Sequence, residues 1–293
     1  MKTLTLTFTK TLCSVALLCA SLTSFMQGAQ ELIKEGLYRY IGAGISYYRY
    51  GEVNSAQNDA FVMRIEGPML SVAGNIGYIF ANGVKLDGYA DVNISVPFSY
   101  YTGHTRDERN PDNDGKPAYS ADFNSYYRFQ GLVGYNFLNG VSERTALYLQ
   151  TGFNYYFSRN DFEAIERLQG YARIPFQLEA EIMLSNSLAL NLMGGVDWVL
   201  FGNHLSKATR ENATGNLNVM QTKGLFGASG FVGLRYKTKE GNINAVRLMY
   251  EYFRAGDSPR SQRLYSWGGT ELFSYYEPKN STHIITLQYF WSF

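Results

Sequence analysis

Few side chains in this chain are placed to do chemistry. Its three histidines, His104, His204 and His283, all fall where the sequence turns polar between apolar stretches. A histidine serves as a general base only with an orienting carboxylate within hydrogen-bond reach. His104-Thr-Arg-Asp107 is the one local candidate, and Ser281 two residues before His283 faintly suggests a serine–histidine pair. The expected state of all three is a solvated loop histidine, so an enzyme is not expected. Asn110-Pro-Asp112-Asn-Asp114-Gly115 sets oxygen side chains at alternate positions before a glycine, like the start of a calcium loop. Ala121 stands where the bidentate glutamate belongs, and such a Pro/Asp/Asn/Gly cluster makes an ordinary turn. Both cysteines, Cys13 and Cys19, lie in the first 29 residues, which leaves the remainder without a thiol for disulfide, zinc or nucleophile. There is no phosphate-binding glycine loop. No cofactor and no metal are expected.

The remaining charges follow a pattern of their own. Over 84–98 the even positions run Val84, Leu86, Gly88, Ala90, Val92, Ile94, Val96, Phe98, while Lys85, Asp87, Asp91 and Asn93 occupy odd ones. Ile174, Phe176, Leu178 and Ile182 oppose Arg173, Gln177, Glu179 and Glu181; Leu190, Leu192, Val196 and Trp198 oppose Asn191 and Asp197. A period of two is the strand period. With a charge at bilayer mid-depth costing about 2–4 kcal/mol, the charged face of a membrane strand must point into a lumen. The inward set is then Lys85, Arg128, Arg173, Arg235, Lys237 and Arg247 against Asp87, Asp91, Glu179, Glu181, Asp197 and Glu251. Equal numbers of each sign in a narrow barrel predict a self-paired ionic plug.

Ten strands would position these groups, at 38–51, 69–81, 84–101, 122–138, 145–158, 169–184, 188–202, 224–237, 243–254 and 282–293. Short connections such as Asn82-Gly83 alternate with long ones at 52–68, 102–121, 159–168, 203–223 and 255–281. The last long loop has apolar pieces at 264–267 and 272–276 that predict at most one further hairpin, so the count is ten within a range of eight to twelve. Aromatic girdles are expected at both ends: Tyr47, Tyr48, Tyr50, Phe98, Tyr100, Tyr101, Tyr155, Tyr156, Phe157, Tyr250, Tyr252 and Phe253 outside, Tyr78, Phe80, Phe137, Tyr236, Trp291 and Phe293 inside. No stretch after residue 29 approaches the eighteen apolar residues of a helical span.

Residues 1–29, with Lys2, Lys10 and the apolar run 12–22, have the layout of a secretory signal peptide. Its removal would leave 24 basic against 25 acidic groups in one domain, 30–293, a balance that gives no reason to expect nucleic acid. At the other end, Ile285, Leu287, Tyr289, Trp291 and Phe293 alternate with Thr286, Gln288 and Ser292. This ending resembles the last strand of bacterial outer-membrane β-barrels, where it marks the chain for the barrel-assembly machinery. The resemblance implies an all-β, transmembrane, antiparallel up-and-down barrel with short periplasmic turns, in the outer membrane of a Gram-negative cell amid its lipid and lipopolysaccharide. Ten strands is also the number in the omptin family of outer-membrane proteases, whose close Asp-x-His pairing this chain lacks.

The sequence thus reads as a surface-displayed structural or adhesion protein with a plugged lumen. External loops would meet a host or surface ligand, with Arg260, Arg263, Tyr265, Trp267, Phe273, Tyr275 and Tyr276 of the last loop as binding candidates. The alternatives are a narrow porin-like channel for small solutes and a rim-site outer-membrane hydrolase.

Overall fold

Ten antiparallel strands close on themselves, because β-structure can satisfy its backbone in hydrocarbon only by leaving no edge. The structure, a computed structural model, describes residues 35–104, 115–162, 165–208, 217–261, 264–265 and 273–293. The expected signal peptide and the turn at 110–114 lie outside the described residues. The strands are β1 (Gly36–Asn54), β2 (Ala60–Ile79), β3 (Val84–Ser95, resumed at Ser99–His104), β4 (Pro117–Asn136) and β5 (Thr145–Phe162). They continue with β6 (Ile165–Ser185), β7 (Leu188–Ala208), β8 (Leu217–Gln221, resumed at Phe226–Lys237), β9 (Ile243–Ala255) and β10 (Lys279–Ser292). Each pairs with its neighbours in the chain, and β1 closes the barrel by pairing with both β2 and β10. The break in β3 falls at Pro97, which has no N–H to donate to a ladder. At the Asn82-Gly83 turn, Gly83 takes a positive φ of 84° and the Asn82 side chain accepts from Val84 N.

Large apolar side chains face outward in a continuous belt, among them Ile45, Leu70, Leu86, Phe176, Leu178 and Leu287, and polar ones face the lumen. The expected parity therefore holds across the membrane. The strands, however, run further than expected. β6 and β7 have 21 residues each, about twice the 9–11 that cross hydrocarbon. Much of the loops expected at 52–68, 159–168 and 203–223 is strand: β1 turns into β2 through a one-turn 3₁₀ segment, Ser55–Gln57. The physical reason is that the apolar-outside signal ends where the lipid ends, whereas backbone pairing continues above it. The apolar pieces of the last loop form a hairpin of two-residue strands, Leu264–Tyr265 and Phe273–Ser274, which adds no strand to the barrel.

The outer girdle also needs correction. Tyr47, Phe98, Tyr100 and Tyr250 face outward, but Tyr48, Tyr50, Tyr156 and Phe253 are at most 1% exposed, inside the lumen. They occupy inward positions of their strands, so parity and not residue type decided their side.

Two changes test the belt and the closure. Leu178→Arg places a charge in the apolar belt and should cost about 2–4 kcal/mol at mid-depth, seen as a smaller fraction refolding to the heat-modifiable form on cold gels. Gly152→Ala should also destabilise, by about 1–3 kcal/mol, because a Cβ there runs into the Gly131 carbonyl oxygen across the ladder.

Candidate functional site

The lumen holds three ionic storeys, each built by alternate residues of strands on opposite walls. In the lowest, Lys85 of β3 lies 2.8 Å from Glu179 and 3.8 Å from Glu181, both on β6. Arg235 of β8 joins Glu181 at 2.6 Å and donates to the Tyr40 hydroxyl at 2.9 Å. Gln150 and Asn191 donate to the remaining Glu179 lone pairs at 2.6 and 2.9 Å. This saturation is what allows charges to persist in a narrow interior. A cavity of about 80 Å³ adjoins this storey, lined by Lys85, Asp87, Glu179, Arg235 and Arg247 among others.

The middle storey is a continuous chain across the barrel. Arg128 of β4 bridges Asp91 of β3 and Glu251 of β9. Arg173 of β6 continues it, 3.5 Å from Glu251 and 3.0 Å from Asp197 of β7, with Asn154 accepting at 2.8 Å. Arg173 is wholly buried. Above it sits an aromatic layer: Tyr48 stacks on Tyr126 at 5.9 Å, Tyr126 on Tyr156 at 5.5 Å, and Phe253 packs against Tyr156 and Tyr171.

The top storey ties the last external loop into the mouth. Arg167 of β6 lies 2.8 Å from Glu52 of β1 and 2.5 Å from Glu277, just before β10. Glu277 also accepts from Tyr50 at 2.9 Å and Tyr275 at 2.5 Å. His204 of β7 lies with Nδ1 3.2 Å from Glu277 Oε1 and Nε2 3.1 Å from the Tyr171 hydroxyl. The loop lies over these groups, held by Ser258 N–H to the Glu277 carbonyl at 2.9 Å and Ser261 N–H to the Tyr275 carbonyl at 2.7 Å. Burial alone would raise the Glu277 carboxyl; the Arg167 guanidinium beside it, with the Tyr275 hydroxyl donating to it, reverses this and holds it well below the usual carboxylate range.

Against the expected plug, Lys85, Asp91, Arg128, Arg173, Glu179, Glu181, Asp197, Arg235 and Glu251 are paired as described. Three residues differ. Among the described residues Asp87 is held by hydrogen bonds from Tyr38 (2.5 Å) and Asn75 (3.0 Å) instead of by a cation within 4 Å. Arg247 faces the lumen but stacks over Phe231 at 4.2 Å and Phe290 at 5.2 Å, without an ion pair among the described residues. Lys237, at the last position of β8, makes no ion pair among the described residues. The whole top storey was missed. Arg167 could have been found by extending the odd parity of β6 two residues past its expected start at 169. His204 could not: Ala172 and Arg173 pair with Phe201 and Val199, so Leu200 is a bulge that flips the parity above it.

His204 is therefore a buried strand residue and not a loop histidine. His104 is exposed beside Phe61, and His283 receives its contact from Tyr250, 2.9 Å from Nδ1, with no hydrogen bond to Ser281. Ile285, Leu287 and Trp291 face outward on β10, while Tyr289 meets Tyr236 at 2.5 Å. Of the loop candidates, Arg260 stacks over Tyr276 at 4.7 Å and Tyr275 turns inward to Glu277. Arg263 and Trp267 lie outside the described residues, as do the side chains of Tyr265 and Phe273.

No protein-family model matches the chain, and no curated protein matches it in sequence. Among solved structures it is similar to the outer membrane protease OmpT of Escherichia coli, with a TM-score of 0.62 and 12% identity over 88% of this chain and 97% of that one. It also matches the translocator domain of the autotransporter NalP of Neisseria meningitidis (TM-score 0.41, 9% identity, 97% and 98% covered). A third match is Ail of Yersinia pestis (TM-score 0.32, 12% identity, 89% and 100% covered). The fold is that of a bacterial outer-membrane β-barrel.

Two measurements probe the storeys. Arg128→Met leaves Asp91 and half of Glu251 uncompensated and should cost about 3–5 kcal/mol in a denaturant titration, partly recovered by adding Asp91→Asn. Because the folded Glu277 value is depressed, its stabilisation of the loop is complete above the ordinary glutamate range, near about pH 4.3. It is lost only as pH falls through the depressed value. Protease cleavage after Arg260 should thus be equally slow at pH 7 and pH 5, and fast at pH 7 in Glu277→Gln.

Proposed function

We propose that this barrel is non-conducting and works at the cell surface through its mouth and external loops, as a structural or adhesion protein. The carrying observation is the middle storey: a wall-to-wall chain of Asp91, Arg128, Glu251, Arg173 and Asp197, every member buried, with the aromatic layer stacked on it. A barrel of eight to ten strands is just wide enough for side chains to fill, and open porins use sixteen or more. With the lumen committed to its own pairing, the surface least explained by folding is the rim. Arg260 and Tyr276 present a cation–aromatic pair there, a type enriched in binding hot spots. In this reading lipid and lipopolysaccharide surround the belt. The outward face of β10, with Ile285, Leu287, Trp291 and the terminal Phe293, engages the assembly machinery during biogenesis.

A hydrolase in the mouth is the second reading, favoured by the Tyr171–His204–Glu277 alignment on a fold shared with a protease. Its three side chains are at most 2% exposed and committed to holding the loop, which leaves the imidazole no path to a substrate. A narrow channel is the third.

Single-channel recording in a planar bilayer should give no discrete openings, while Arg128→Ala with Arg173→Ala should create them. Steady openings of the unchanged protein would overturn the proposal. Replacing 259–276 by a short Gly-Ser linker should abolish surface binding while the barrel still migrates in its heat-modifiable form. Peptide hydrolysis lost in His204→Ala would move the conclusion to the second reading.

A further inference from the structure

Just above the lipid belt, the outward face of four adjoining strands gathers cations that its acids do not match. In one register row Glu66 of β2, Arg49 of β1, His283 of β10 and Tyr252 of β9 lie side by side. Two residues further up each strand, the next row reads Arg64, Gly51, Ser281 and Arg254. The row beneath is Pro68, Tyr47, Ile285 and Tyr250, and below it the aliphatic belt begins with Leu70, Ile45 and Leu287. The two upper rows therefore stand where interfacial aromatics give way to headgroups.

Arg64 lies 3.0 Å from the Glu66 carboxylate, and Arg49 reaches the same group only at 3.9 Å. Arg254 is exposed, rests over the Phe226 ring at 5.8 Å and has no ion pair among the described residues. Three guanidinium groups against one carboxylate leave an excess of two positive charges. Higher up, Asp59 and Asp257 are engaged by Lys279, through its ammonium at 2.6 Å and its N–H at 2.6 Å. The external ends of β5, β6 and β7 show the contrast: there Arg159 and Lys207 are matched by Asp161 and Glu166 at 2.9–3.2 Å. The upper row also leaves room. Gly51 and Ser281 separate Arg64 from Arg254 by three strand spacings, about 14 Å. A Cβ on Gly51 would meet nothing closer than 3.7 Å, so the space over it is open.

Guanidinium forks match phosphate oxygens, and a net positive saddle at headgroup height, continuous with an apolar belt, suits an anionic lipid. We propose that the outward wall of β2, β1, β10 and β9 seats the phosphorylated headgroup of an outer-leaflet glycolipid on Arg49, Arg64 and Arg254. Its acyl chains run down past Tyr47, Ile285 and Tyr250. The inference rests on the reading that lipopolysaccharide surrounds the belt and adds a fixed seat for one such molecule. It stands whether or not the barrel conducts, and it uses no residue of loop 259–276.

The test titrates the full barrel, in non-ionic detergent, with diphosphorylated lipid A and counts bound lipid by native mass spectrometry. One molecule should be retained, and fully dephosphorylated lipid A should bind about tenfold more weakly or worse. Arg49→Gln with Arg254→Gln should cause a loss of the same size, whereas Arg159→Gln on the other wall should change nothing. Migration as the heat-modifiable form verifies folding, and if the double variant does not fold, Ser281→Asp decides. That change sets an acid between Arg64 and Arg254 and should weaken retention as much. Equal retention of the two lipids, unchanged retention in the folded variants or the same loss in Arg159→Gln would overturn the proposal. So would displacement of the lipid by millimolar inorganic phosphate, which would mark a site for free anions. If neither lipid is retained, the lipopolysaccharide reading itself falls; if both are retained equally, only the seat does.

Discussion

A strand in hydrocarbon cannot leave its backbone groups unpaired, since there is no water to satisfy them. Everything else in this molecule follows from meeting that demand with ten strands. Closure of β1 onto β10 removes both edges, and the small strand number makes a lumen that side chains can span. Strand pairing carries on past the lipid, so the wall rises into a mouth lined by inward residues that never face the membrane.

Once the lumen is narrow, its charges have to find one another. Lys85, Arg128, Arg173 and Arg235 each meet carboxylates on other strands, several across the barrel, so ion pairs take the place that a hydrophobic core holds in a soluble domain. Removing any one partner strands another, and this interdependence makes the interior rigid. Tyr48, Tyr126, Tyr156, Tyr171 and Phe253 add an apolar layer, and it separates the paired middle from the mouth.

The mouth is where loop and barrel become one structure. Glu277 belongs to the last loop, yet it is buried among Tyr50, Arg167, His204 and Tyr275, which come from β1, β6, β7 and the loop itself. Such a contact is invisible to a reading of strands one at a time. Glu52 and Arg167 fell in regions that looked like loops because Gly51 and Glu166 beside them break the apolar alternation of the outward face. Tyr48 and Tyr50 looked like girdle residues because aromatics are expected at that height, and only their position along β1 turned them inward. His204 was hidden more deeply, by the extra residue Leu200 that reverses the alternation of β7.

What the sequence determined by itself was the class of fold, its strand number and the inward side of each membrane segment. Those properties follow from a period of two and from the cost of charge in lipid, both local to a strand. Tertiary structure alone decided which charges pair, how the inward aromatics stack on one another across strands, and that a loop carboxylate closes the mouth. Each of these depends on the register and bulges of the closed sheet, which bring residues more than a hundred positions apart into contact and leave no trace in the pattern of any single strand.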